Sequence, residues 1–138
     1  MKKLFSALIF CTALLLMSSF TANAQKVTAT VSTDTLTNSD NASIVFTVPD
    51  GFDVAFQAVV TKLSGTAAGT VLLKGTIDGT NYVDVNTDTL TLTNVTTNSK
   101  LWAISNTSAP YIKYKLYFAS TGTVSAVPKG YMVLRRKI

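Results

Sequence analysis

Downstream of residue 24, the side chains able to do chemistry are aspartates, lysines, tyrosines, serines, threonines and one tryptophan. The 138-residue chain holds no histidine and no glutamate, and its single cysteine is Cys11. Hydroxyl nucleophiles are plentiful, but no imidazole is present to activate them. A Ser-x-x-Lys spacing does not occur after residue 24 either. A pair of carboxylates can divide acid and base roles, and Asp78 and Asp84, flanking one turn, are the obvious pair. Turn chemistry explains them equally well: Asp78 opens an Asp-Gly step, and Asp84 falls on the solvent side of an alternating run. The sequence therefore predicts no catalytic residues and a protein that is not an enzyme.

Two binding chemistries stay open. Asp78, Asn81 and Asp84 place oxygen donors around a glycine-containing turn, a donor set suited to calcium. Their spacing does not fit an EF-hand loop, so no cofactor is expected, with calcium the metal to test. The second chemistry is aromatic. Tyr82, Trp102, Tyr111 and Tyr117, with Lys113 and Lys115 between the last two tyrosines, are the candidate ligand-binding residues. Rings with polar neighbours stack on sugars. The competing reading puts Trp102 in the core and the tyrosines at strand edges.

Charge is distributed unevenly. Residues 25–88 carry seven aspartates and three lysines, whereas residues 89–138 carry seven basic residues and no acid. Such a division gives either two solvated faces or a basic surface that docks an acidic partner. No nucleic-acid-binding motif accompanies it, so nucleic acid is not an expected partner.

The first 24 residues read as a leader. Lys2 and Lys3 precede the apolar run Leu4–Phe20, and Ala22-Asn23-Ala24 supplies a small-residue cleavage site before Gln25. This is the plan of a secretory signal peptide. Phe10, bulky and directly before Cys11, argues against lipid attachment there. Membrane contact is expected only through this helical leader, if it is not cleaved. The expected organisation is a signal peptide over 1–24 and one domain over 25–138, exported to the periplasm, cell surface or medium.

The domain reads as strands. Thr, Val, Ser and Ala dominate it, and apolar residues recur every second position rather than every third or fourth. Val27, Ala29 and Val31 mark a first strand; Thr33 to Asn41 is loop-like. Ile44, Phe46 and Val48 share a face, as do Val54, Phe56, Ala58 and Val60 after the Pro49-Asp50-Gly51 turn. Further strands are expected at Val71–Ile77, Tyr82–Val85, Leu90–Leu92 and Leu101–Ile104, with Asp78-Gly79 as a hairpin signal. Ile112, Tyr114, Leu116 and Phe118 should point inward, leaving Tyr111, Lys113, Lys115 and Tyr117 outside. Val124–Val127 and Tyr131–Leu134 should close the domain around a bend or bulge at Pro128-Lys129-Gly130. Pro128 lacks an N–H, which suggests an edge strand. Thr-Asp-Thr-Leu-Thr occurs at both 33–37 and 87–91, as equivalent segments of two halves would. The fold class is all-β: a single antiparallel β-sandwich, jelly-roll-like, of eight to ten short strands.

The run Lys74-Gly75-Thr76-Ile77-Asp78-Gly79-Thr80-Asn81-Tyr82 resembles a hairpin of discoidin-like carbohydrate-binding domains. It also resembles one found in small structural proteins of tailed phages, many of marine or Bacteroidetes-type hosts. Thr61–Thr70, Asp88–Thr93, Tyr111–Tyr114 and Gly130–Leu134 look more like the phage group. That resemblance implies a β-sandwich with a virion-associated role, as capsid decoration or fibre component, and supplies no catalytic residues. The leader departs from it and implies a phage-derived exported surface protein instead. Expected partners are proteins in a larger assembly, a second copy of the chain included, or a surface glycan. The alternative function is a secreted carbohydrate-binding or adhesion module.

Overall fold

Alternation of burial along the longer strands gives each a core side and a solvent side, as a two-layer fold requires. The computed structural model describes residues 25–31, 35–104 and 111–136. The leader expected over 1–24 and residues 105–110 lie outside them. Ten strands are present among the described residues: β1 (Gln25–Val31), β2 (Leu36–Thr37), β3 (Asn41–Thr47), β4 (Phe52–Gly65), β5 (Gly69–Thr76), β6 (Val83–Asp84), β7 (Leu90–Leu92), β8 (Thr97–Ile104), β9 (Lys113–Ser120) and β10 (Val124–Arg136). All pairings are antiparallel. The first sheet runs β1-β10-β4-β8, with β2 also on β10; the second runs β3-β9-β5-β6, with β7 also on β5. The chain passes repeatedly between the sheets, and this interleaved order is a jelly roll.

The inner faces meet in one core. Phe46, Phe56 and Tyr114 form its aromatic centre, with ring centroids 5.6 Å apart for Phe46–Phe56 and 4.7 Å for Phe56–Tyr114. Leu116, Phe118, Val71 and Leu73 fill it from the second sheet, Ala58, Val60 and Met132 from the first. Gly130 in β10 faces this layer; a Cβ there would lie 3.0 Å from both the Phe46 ring and a Leu116 methyl. The glycine is what lets those side chains reach the opposite sheet. Burial, reinforced by neighbouring Tyr111, pushes the Tyr114 hydroxyl above its ordinary pKa.

Several expectations need correction. Val124–Val127 and Tyr131–Leu134 are one 13-residue strand, β10, with no break at Pro128. It is central rather than an edge, paired with β4 along one flank and β1 and β2 along the other. Pro128 is accommodated at a seam: β1 pairing ends at Val31–Lys129 and β2 pairing begins at Leu36–Ala126. The irregularity lies in β4, where Leu63 has no partner between Lys62–Ala126 and Ser64–Ser125. The strands are also not uniformly short, since β4 has 14 residues. Leu36, inside the segment expected to be loop, is fully buried and belongs to β2. Asp78-Gly79 does not make a tight hairpin but lies in the Ile77–Tyr82 connection between β5 and β6. Leu36-Thr37 and Leu90-Thr91, the ends of the repeated string, sit in short strands on opposite sheets.

The inward set of β9 is shifted at its start. Tyr114, Leu116 and Phe118 are buried, but Ile112 is 47% exposed. A bend at Ile112 precedes the strand. Tyr111 takes the inner position instead, its ring covering Gly75 and meeting Tyr114 edge-on at 5.6 Å. An added Cβ at Gly75 would sit 2.5 Å from that ring. Ile112 and Tyr111 thus exchange the sides that simple alternation assigns them.

Candidate functional site

Alternation along β9 sends Lys113, Lys115 and Tyr117 to the outer face of the second sheet. Register supplies their neighbours. Ser43, Tyr117 and Leu72 form one row across β3, β9 and β5; Val45, Lys115, Lys74 and Asp84 form the next, reaching β6. Tyr82, directly before β6, adds its ring. The Lys115 ammonium lies 4.0 Å from the Tyr82 ring centre and 5.9 Å from that of Tyr117. Lys74 lies 5.8 Å from the Tyr117 ring centre and pairs with Asp84 at 2.6 Å. Among the described residues neither Lys113 nor Lys115 has a carboxylate within ion-pair distance. The arrangement can present ring faces and fixed positive charge together.

The structure thus brings together Tyr82, Tyr117, Lys115 and, on the same strand, Lys113. It separates two other candidates from them. Trp102 in β8 is 2% exposed, and its indole N–H donates to the Asp88 carbonyl at 2.7 Å, so it is a core residue of the first sheet. Tyr111 packs inward over Gly75. Lys74 and Val45 belong to the face and carry no mark in the sequence; only register places them there.

The three oxygen-donor candidates do different work. Asp78 Oδ1 accepts from the Thr80 and Asn81 amides at 2.8 and 2.7 Å and from the Thr76 hydroxyl at 2.7 Å. Its Oδ2 accepts from the Asn81 side-chain amide at 2.6 Å. These donors hold the Asp78 carboxyl well below the usual carboxylate range, the Thr80 amide contributing most. Asp78 and Asn81 therefore tie the turn that delivers Tyr82, while Asp84 is turned to Lys74. Among the described residues no group of three His, Cys, Asp or Glu side chains comes together.

A second surface feature lies across the molecule. Val27, Val133, Ala55 and Ala103 form an apolar row over the outer face of the first sheet, beside the row Ala29, Tyr131, Gln57 and Leu101. Val27 is 63% and Leu101 62% exposed. In β1, Val27 and Ala29 point outward, whereas Lys26, Thr28 and Thr30 line an open groove against β3.

No protein-family model matches the sequence, and no curated protein matches it significantly. Solved structures do. The SPBc2 prophage-derived protein YomS superposes with a TM-score of 0.56 at 12% identity, over 83% of this chain and 99% of that one. This likeness establishes the shared β-sandwich fold. The coat protein of Tobacco streak virus gives a TM-score of 0.47 at 12% identity, over 87% of this chain and 91% of its own. A family 16 carbohydrate-binding module gives 0.41 at 11% identity, over 68% and 70%.

Proposed function

We propose that this chain is a non-catalytic interaction module of phage type, virion-associated or exported, that packs against further copies of itself in a larger assembly. The observation that carries this reading is the orientation of β1. An amphipathic edge strand normally turns its apolar side to the core; here Val27 and Ala29 extend an apolar row on the outside. That row spans the sheet from β1 to β8, so a second copy related by a two-fold axis presents the same surface. Lys129, Arg135 and Asp53 lie at its margins, an apolar centre with a charged rim as in protein interfaces. The shared fold with a prophage protein agrees with this reading.

Light scattering coupled to size exclusion tests it. The native protein is expected to run as an oligomer, and Ala55→Arg, which sets a charge in the row, as a monomer with an unchanged melting midpoint. A native protein that stays monomeric up to about 100 μM, a range in which even a weak micromolar contact would be populated, overturns the proposal.

A second reading has its own support. The Tyr82–Lys115–Tyr117 cluster on the other sheet is suited to a surface glycan, as in an adhesion module, and leaves the apolar row free for assembly.

A further inference from the structure

We propose that the tyrosine–lysine face of the second sheet binds an acidic polysaccharide, a chain of carboxylated sugars, rather than a neutral one. This rests on the glycan-binding reading of that face and specifies its ligand. The argument starts from charge. β3, β5 and β9 contain no acidic residue, and Asp84 in β6 is engaged by Lys74. Lys113 and Lys115, two positions apart on β9, project positive charge from this face with no carboxylate in ion-pair contact among the described residues.

Lys115 is also fixed in place. An exposed lysine ordinarily samples many rotamers, and ordering it on a ligand opposes binding. Here its ammonium is seated 4.0 Å from the Tyr82 ring centre, with the Tyr117 ring 5.9 Å away, and Tyr82 is itself positioned by the Asp78–Asn81 turn. The cation is therefore pre-organised at the edge of an aromatic surface.

A sugar carboxylate satisfies this pairing in one residue. Its anionic group meets Lys115 or Lys113, and the C–H face of its ring lies on Tyr117. The surface is a sheet face, with Val45, Leu72 and Ser43 continuing it, and not an enclosed pocket. An extended polymer lying across the strands fits that shape, and a single small anion would find nothing to enclose it.

Calorimetric titration of the full exported protein decides the matter with four probes: a galacturonate hexamer, its fully methyl-esterified form, a neutral galactose hexamer and a poly-aspartate peptide. The galacturonate hexamer is expected to bind at least about tenfold more tightly than the ester, as loss of a charge-assisted hydrogen bond implies. Its affinity should fall with added salt. Lys115→Gln should remove most of that preference, bringing the charged and esterified hexamers close to the same affinity. Tyr117→Ala should weaken both sugars, and Tyr117→Phe, which keeps the ring, should restore them. Equal affinity for the charged and esterified hexamers overturns the acidic specificity while sustaining the glycan reading. No affinity for any of the three sugars overturns both. Poly-aspartate binding as tightly as galacturonate, and surviving Tyr117→Ala, would make the face a docking site for acidic protein.

Discussion

At the scale of single residues, adjacent positions on β9 have opposite duties. Phe118 is fully buried between the sheets, whereas Tyr117 lies on the outer face beside Lys74 and Lys115. Phe118→Ala is expected to lower stability by about 3–5 kcal/mol, a large share of the roughly 5–15 kcal/mol that holds such a domain together. Tyr117→Ala should leave the melting midpoint nearly unchanged. Denaturant melts of the two variants check the contrast, and the reverse order of effects would mean a strand one residue out of register. Asp78 offers a pH-dependent counterpart. Its folded carboxyl is held far below the unfolded value of about 3.9. Its contribution is therefore complete above the unfolded pKa and is lost as pH falls through the folded one. The melting-point difference between the native protein and Asp78→Ala should be largest above about pH 5 and shrink steadily toward pH 2. A difference that grows on acidification would contradict the turn-capping role.

At the scale of elements, β10 decides how the first sheet is built. It runs between β4 on one side and the short strands β1 and β2 on the other. Its proline is tolerated at the seam between those two strands, and its glycine at 130 makes room for Phe46, Ile44 and Leu116 from the facing sheet. Gly130→Ala would place a Cβ 3.0 Å from two of these side chains, closer than nearly all real contacts of this kind, so the neighbours must shift. Overpacking of this kind should destabilise by about 1–3 kcal/mol. Adding Leu116→Val or Ile44→Val in the same background should recover part of the loss, because the crowding atoms are side-chain termini. A Gly130→Ala variant as stable as the native protein would show that the core has slack at this point.

At the scale of the whole molecule, the two outer faces are chemically distinct. The first sheet presents an apolar row and the second presents tyrosines and lysines, so one molecule can assemble through one side and bind through the other. The glycan-binding proposal requires the domain to reach a compartment where glycans are met. The leader is expected to be removed after Ala24, giving an intact mass that begins at Gln25. Secreted material dominated by a species retaining Met1–Ala24 would mean a membrane-held protein instead, with assembly confined to two dimensions.

The sequence by itself determined the all-β class and most of the core. Alternation at Ile44–Phe46, Val54–Val60 and Tyr114–Phe118 names side chains that do lie inside. It also marked Lys113, Lys115 and Tyr117 as outward, because side-chain period along a strand is set by the backbone alone. Only the tertiary structure decided which side of a strand would be covered. In β1, Val27 and Ala29 are outside, because β10 offers its edge in the register that turns Lys26, Thr28 and Thr30 toward the groove against β3. Leu36 is buried although its neighbours are polar, because β2 adds to the same edge. Trp102 is sequestered by the Asp88 carbonyl, and Tyr111 by the bare backbone of Gly75. The Tyr82–Lys115–Tyr117 face, too, exists only through the pairing of β9 with β5 and of β5 with β6. A period of two fixes which residues share a side, but pairing between distant strands fixes what that side meets.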